Sequence, residues 1–344
     1  MKYTIGIDGG TTNVKAVIFD ENGVEVSKEV IENEPIYVND SHVEMNMNEL
    51  WDKTLKCLKN LIDNNSNIKD DILGIGITGQ GEGCWLIDDN GNPLQNAILW
   101  CDARAKSEVD KVINDNPEIG NLIHKTTGTP PLSGTQLMVL KWMQTNRKDV
   151  LDKAAVSFFC KDWLRYKLTG KIGADMTDSG TSLVDISSNK IAKDLLEKIG
   201  LKDYVSYLPD PSLSDDIAGN MSEEVAKYLG LNKTIPVIYG AIDVSAAAVG
   251  TGAIKENNIC VILGTTCANE IVINKNNCQF GSEGTRFEKH PLSDLYMFLN
   301  PTMNGTPNFD WAIENISTTK DYKEIDELID SEPVGSRGVI YHPY

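Results

Sequence analysis

Short apolar runs broken by glycine or Asn-Gly open the chain, and they predict three strands in a meander. Tyr3–Asp8 is the first, Val14–Asp20 the second and Val24–Ile31 the third, with Glu21-Asn22-Gly23 as a hairpin signal. The apolar spacing then becomes helical. Leu50, Trp51, Leu55, Leu58 and Ile62 line one face of a helix expected over about Asn46–Asn64, with Asn46 and Glu49 placed as a capping box. The stretch DILGIGITGQGEGCWLIDDNGNPLQNAILW reads as strand, glycine-rich loop, strand, Asp89-Asn90-Gly91 turn and strand, and a helix is expected from about Asp102. Residues 135–230 carry mostly helical pattern with short breaks. Ile235–Gly240 predicts another strand, and Asp243 opens a helix of small residues, VSAAAVGTGAI.

One pattern occurs twice. Residues 4–19 read TIGIDGGTTNVKAVIF and residues 259–274 read ICVILGTTCANEIVIN. Both are strand, Gly-Thr-Thr, strand, which predicts a duplicated unit opening each of two domains. The final run, VGSRGVIYHPY, reads as an apolar strand and a proline turn. Most domains close on exposed polar segments, so the second unit is expected to be unfinished where this sequence stops.

Composition narrows the choices. A length of 344 residues favours two domains over one core. The net charge of −18 repels phosphate backbones and anionic bilayers, so neither nucleic acid nor membrane is an expected partner. No apolar run reaches the roughly 20 residues of a bilayer span. Asp8 interrupts the first apolar run, which reads as a strand rather than a signal peptide. Seven cysteines without a CxxC pair suit reduced thiols in a cytoplasmic protein. Four histidines without paired spacing make a zinc site improbable.

The first Gly-Thr-Thr hairpin has the strongest local chemistry. Glycines there let the backbone approach an anion, and the hydroxyls of Thr11 and Thr12 can donate to phosphate oxygens. Lys15 can reach the same phosphates, and Asp8 can hold a hydrated Mg²⁺. The second triplet, Gly264-Thr265-Thr266, supplies a facing arm, and two such arms make a pincer for a polyphosphate. A solvated turn is the plainer reading of either copy alone. The GQGEG loop offers Gln80 and Glu82 to substrate hydroxyls, or is simply a polar turn. Trp100 and Asp102 suit a sugar, the ring covering C–H faces and the carboxylate accepting hydroxyls; a core tryptophan and a helix cap fit equally well. Asp243 is a candidate base or a helix cap. Asp162, Asp175, Asp178 and Asp185 have similar claims, and local sequence does not choose among them. GIGITG at 74–79 matches GxGxxG, but a strand rather than a helix is expected after it, and no GxxxxGK[ST] occurs.

In order along the chain, IGIDGGTTNVKAVIFD, GIGITGQGEGCWLIDDNGNPLQNAILWCDAR, KDWLRYKLTGKIGADMTDSGT, VIYGAIDVSAAAVGTGAI and VILGTTCANE resemble five segments of the FGGY carbohydrate kinases. That resemblance implies an α/β, ribonuclease-H-like fold shared with actin, hexokinase and Hsp70, duplicated into two domains with a cleft between them. The domains are expected at 1–246 and 247–344, the second lacking the family's adenosine-holding segment. It implies ATP and Mg²⁺, a small-molecule sugar or polyol as substrate, and direct in-line transfer to a terminal hydroxyl. A homodimer stands open as the assembly.

Carried over by position, Asp243 becomes the base and Asp8 the Mg²⁺ organiser, acting through water. Gly10, Thr11, Thr12, Lys15, Gly264, Thr265 and Thr266 face phosphates. Gln80, Glu82, Trp100 and Asp102 face the sugar. Gly81-Glu82 departs from the Met-His usual in xylulose kinases and the Arg-Glu usual in glycerol kinases. The form here is more similar to kinases of L-xylulose, 3-keto-L-gulonate and erythritol, with Gly81 expected to leave room for substrate. The rival classes are a sugar sensor that has lost catalysis and an actin-like ATPase that drives assembly. The retained Asp8, Asp243 and both hairpins argue against the first; the sugar-facing loop argues against the second.

Overall fold

A computed structural model describes residues 1–264, 267–292, 294–302 and 304–342. The meander forms as expected, with β1 at Tyr3–Gly9, β2 at Asn13–Asp20 and β3 at Glu25–Glu32. In the register Ile5 faces Ile18 and Ile7 faces Ala16, so one sheet face is apolar. That face is covered by α1, Met47–Asn64, through Leu50, Leu58 and Leu61, none of them exposed. Burying each such side chain favours folding by about 1.5–3 kcal/mol. Asn46 caps α1 by accepting from the N–H groups of Asn48 and Glu49. The Glu49 side chain turns to Lys53, at 2.8 Å, so only half of the expected capping box forms.

Ile72–Gly79 is β4, parallel to β1. The GIGITG motif therefore lies on this strand, and the next element is the strand Trp85–Ile87, which agrees with the rejection of a dinucleotide loop. Ile217–Asn220 is β5 and Pro236–Ile238 is β6, and the six-stranded sheet runs β5-β6-β4-β1-β2-β3. The helices α2 (Cys160–Thr169) and α4 (Glu223–Leu229) pack beside α1, with the short α3 (Met176–Gly180) between them in sequence. The opposite sheet face carries Gly6, Val17, Phe19 and Gly76. It opens into a cavity of about 510 Å³, also lined by Ala246 and Val249 of α5, Asp243–Gly250. A separate core made of residues between 84 and 208, including Leu137, Leu140, Phe159 and Leu195, supports the segment between β4 and β5.

The strands on either side of the second Gly-Thr-Thr pair as those on either side of the first do. β7, Ile259–Leu263, pairs antiparallel with β8, Cys267–Asn274. With β9 (Phe287–Lys289) and β10 (Leu295–Thr302) they form a sheet of order β7-β8-β10-β9. Val272, Met297 and Leu299 pack with Ala248 of α5, and the Tyr296 hydroxyl donates to the Ile186 carbonyl at 2.8 Å.

Two expected elements differ. The helix placed near Asp102 begins at Lys106, because the Asp102 carboxylate is drawn inward by Arg104 and Val43 instead of capping a helix. Residues 339–342 form no strand: Val339 and Ile340 are exposed, and a strand exists only against a partner edge.

Candidate active site

The site is built where β1 and β4 end and β2 begins. Asp8 on β1 lies opposite Lys15 on β2 in the register, with Oδ2 and Nζ 3.7 Å apart. Burial pushes the Asp8 carboxyl above its usual range, and Lys15 offsets only part of that rise. The turn between the strands closes through Gly10 N–H to the Asn13 carbonyl at 3.0 Å. Asn33, which local sequence did not single out, holds this turn from behind. Its amide donates to the carbonyls of Gly10 and Thr11, and its own N–H donates to the Thr12 carbonyl.

The phosphate hairpin and the polar loop meet at one hydroxyl. Thr11 Oγ1 donates to Gln80 Oε1 at 3.0 Å and accepts from Trp100 Nε1 at 3.2 Å. Thr11, Gln80 and Trp100, distant in sequence, are thereby brought together. Trp100 stays half exposed, with its indole N–H engaged and its face available.

Asp102 is different. Its carboxylate accepts from the Val43 N–H at 2.6 Å, the Arg104 N–H at 2.8 Å, and Arg104 Nε and Nη2 at 2.9 and 2.8 Å. It is fully buried and its acceptors are used, so it braces the segment behind Trp100 rather than offering an acceptor to a sugar.

Glu82 sits in the left-handed region, φ 58°, with its N–H donating to Asp178 Oδ1 at 3.3 Å. Its carboxylate is buried and lies 3.6 Å from Arg286, which directly precedes the second sheet's Phe287–Lys289 strand. Neither oxygen meets hydrogen-bond geometry among the described residues, although the Thr181 hydroxyl and the Gln136 backbone lie near enough to lower its proton affinity a little. Burial pushes this carboxyl to about 7, Arg286 working against the rise and Glu288 adding to it. Gly81 does not open space for a substrate. A Cβ there would lie 2.0 Å from Ile242 Cδ1, so the room is filled by the residue before Asp243.

Asp243 begins α5 and its Oδ1 accepts from the Val244 N–H at 2.8 Å. Helix geometry favours the ionised form, but surrounding protein dominates. Although the residue is open to solvent, desolvation by the walls around it pushes the carboxyl to about 7, with Asp8 and Glu288 adding to the rise. The expected ionising effect of the helix end is therefore outweighed. The backbone before Asp243 is fixed at three points. Thr78 Oγ1 donates to the Ala241 carbonyl at 2.7 Å, and the Ile242 N–H donates to Thr177 Oγ1 at 2.9 Å. Gly240, at φ 75°, lies so close to the Ile77 carbonyl that a Cβ would sit 1.7 Å from that oxygen.

The other aspartates now separate. Asp162, Asp175 and Asp178 surround Lys161 at 3.0, 2.6 and 3.1 Å, all without side-chain exposure, and Arg165 joins through Asp162. Burial alone would raise Asp175, but Lys161 and Thr177 outweigh it and hold the carboxyl low. Asp178 is pushed well up by burial and by its carboxylate neighbours, against the pull of Lys161. Asp185 instead accepts from Ser187 and Ser188 in an exposed turn. On the second hairpin, the Gly264 carbonyl accepts from the Thr306 N–H at 2.7 Å. Thr265 and Thr266 lie outside the described residues. Arg286, Glu270, Glu288 and Lys161 were not singled out from sequence. Glu270 carried a usable signal: it is a carboxylate two residues before Val272 on a strand, hence on the buried phase.

These carboxyl groups give a stability prediction. Glu82, Asp243 and Glu270 have folded-state values pushed up to about 7, about 7 and about 8. An acid raised on folding binds its proton more tightly in the folded chain. Stability is therefore undiminished below the unfolded value and falls as pH rises through the folded one. Unliganded protein is expected to have a lower Tm at about pH 9 than at about pH 6, and Glu270→Gln to reduce that difference. Differential scanning calorimetry at both values checks it; identical pH dependence in wild type and variant would refute it.

The sequence profile for the N-terminal domain of the FGGY family of carbohydrate kinases matches residues 3–250. The chain belongs to this family. Over 351 residues it is 26% identical to the xylulose kinase of Staphylococcus xylosus, covering 100% of this chain and 70% of that protein. It is 27% identical over 354 residues to the erythritol kinase of Brucella abortus (strain 2308), covering 99% and 67%. Among solved structures, the ligand-bound xylulose kinase from Lactobacillus acidophilus superposes with a TM-score of 0.88 at 23% identity, covering 100% of this chain and 69% of that one. The kinase has the actin- and hexokinase-like fold of these enzymes, as the resemblance of its five segments implied. No helix among its described residues is long and apolar enough to cross a membrane.

Proposed function

We propose that this kinase transfers the γ-phosphoryl group of ATP to a terminal hydroxyl of an open-chain sugar or polyol, with Asp243 as general base. The observation that carries this reading is the convergence on one cleft of a solvent-open, rigidly held Asp243, the Asp8–Lys15 hairpin end, and the Gln80–Glu82 loop beside Trp100. The residues before 247 would form the sugar-binding domain and those from 247 onward a second nucleotide-facing one.

In this mechanism Trp100 covers the C–H face of the substrate and Glu82 accepts from its hydroxyls. Gln80, committed to Thr11, fixes the loop that carries Glu82. Asp243 accepts the proton as the substrate oxygen bonds to phosphorus and the bond to the ADP oxygen breaks. Gly10, Thr11, Thr12 and Lys15 stabilise phosphate oxygens from one side, and Gly264, Thr265 and Thr266 from the other. No cluster of three or more metal-ligating side chains occurs among the described residues. A lone, partly exposed Asp8 fits Mg²⁺ better than a dedicated cage would, because that ion keeps several waters and shares phosphate oxygens. Bound there, it would neutralise phosphate charge.

An assay of ADP release against pentuloses, polyols and keto-acids tests the reading, and failure to release ADP with every acceptor would reject it. A second test addresses the loop. A charge-assisted hydrogen bond contributes about 1.5–3 kcal/mol. Glu82→Ala is therefore expected to raise KM roughly ten- to a hundredfold. An unchanged KM would return the loop to a purely structural role.

A further inference from the structure

Buried polar atoms without partners are uncommon in folded proteins, and each one points to a missing partner. In this molecule several gather in one place. Both oxygens of Glu82, both of Glu270, Oε2 of Glu288 and Nε of Arg286 are buried and lack hydrogen-bond partners among the described residues. Exposure is 8% for Glu82, 0% for Glu270 and 1% for Glu288.

These residues come from both halves of the molecule. Glu82 lies on the loop after β4. Glu270 lies on β8 and Glu288 on β9, and Arg286 precedes β9. In the sheet register Glu288 lies opposite Met297 and Glu270 opposite Leu299. Met297, Leu299 and Val272 pack with Ala248, so this is the sheet face that looks toward α5 and Asp243. Arg286 Nη2 bonds Glu288 Oε1 at 2.5 Å and reaches Glu82 Oε1 at 3.6 Å.

We propose that Glu270, Glu288 and Arg286 complete the sugar subsite begun by Glu82, and that the completed subsite selects a neutral polyhydroxylated substrate, a ketose or alditol, over a sugar acid. This rests on the phosphoryl-transfer reading above and names the substrate class for that same site. The unpartnered atoms are mainly acceptors, and adjacent hydroxyls of a sugar are donors spaced to meet them. A sugar carboxylate brings no donor. It would face three carboxyl groups and one cation, Arg286, whose Nη2 is already shared between Glu288 and Glu82. Burial first, and the neighbouring carboxyl groups second, raise the proton affinities of Glu82 and Glu270, and an anionic ligand would add to the second effect.

Isothermal titration calorimetry tests this directly, because it reads binding without requiring turnover. The probes are D-xylulose, L-xylulose and erythritol, with D-xylonate and erythronate as acids. Wild-type protein is expected to bind at least one neutral probe roughly tenfold or more tightly than either acid. Glu270→Gln and Glu288→Gln, near-isosteric changes, should weaken that neutral probe by roughly tenfold and narrow the preference. Melting curves establish that both variants are folded, and either one alone suffices for the comparison. Equal affinity for acids, unchanged neutral affinity in both variants, or no binding of any probe would overturn the proposal. Tight, variant-sensitive binding without phosphoryl transfer would leave it standing and overturn only the mechanism beneath it. Transfer that depends on Asp243 but not on Glu270 or Glu288 would do the reverse.

Discussion

Asp243→Asn is expected to lower kcat by roughly 10²–10⁴, the usual range for loss of a general base. A substrate hydroxyl is a weak nucleophile at neutral pH, and the phosphate it approaches is anionic. A carboxylate within hydrogen-bond reach can orient the hydroxyl and receive its proton as the new bond forms. Asparagine has nearly the same shape and can still orient a donor, but it cannot take the proton. The backbone around position 243 should not move, because Thr78, Thr177 and Gly240 hold it without using the Asp243 side chain. Tm should therefore hold or rise slightly, since a carboxyl raised to about 7 is replaced by a neutral group. Sugar and nucleotide affinities should change little. Asp8→Asn should differ, weakening nucleotide binding in the presence of Mg²⁺ as well as turnover. Near-normal kcat in Asp243→Asn, or activity lost only through unfolding, would remove Asp243 from its proposed role. Asp102 cannot take its place, because the carboxylate is closed off by Arg104 and Val43.

Lys161→Met is expected to destabilise the protein by about 3–5 kcal/mol, the typical loss when one partner of a buried charge network is removed. The ammonium lies within 3.1 Å of three carboxylates that have no exposure, and methionine fills the space without supplying a charge. Asp175 and Asp178 would have to take up protons or admit water. The expected fall in Tm is roughly 5–10 °C. Lys59→Met serves as control: Lys59 pairs with Asp63 on the exposed side of α1, where an ion pair contributes little. Similar melting curves for the two variants would show that the Lys161 network is not a principal source of stability. Activity should fall further than stability alone explains, since Asp178 accepts from the Glu82 N–H and the Asp175–Thr177 pair holds the Ile242 N–H.

Much of the architecture was legible because it depends on short-range chemistry. The two hairpins, α1 with its Asn46 cap, and the strand leading to Asp243 follow from apolar period and turn residues. The meeting of Thr11 with Gln80 and Trp100 was not, because sequence gives residue types but not which hydroxyl faces which amide. Asp102 illustrates the limit. Beside a tryptophan it suits a sugar, and only the inward turn of Arg104 shows that it is spent. Arg286 and Glu288 were invisible for another reason, and Glu270 showed only as a carboxylate on the buried phase of a strand. All three matter through a loop about two hundred positions earlier, and no local pattern encodes that proximity. Gly81 was read as space for substrate, but the space belongs to Ile242.

The single hydroxyl of Thr11 has a consequence for redesign. It has one proton, now given to Gln80, and its lone pair receives the Trp100 indole. A valine there would strip both neighbours at once, leaving a buried amide oxygen and an indole N–H to find new company. A designer changing acceptor preference would find position 11 a poor handle, since each alteration propagates across the hairpin and the sugar loop together. Libraries built to alter sugar choice should therefore keep residue 11 fixed.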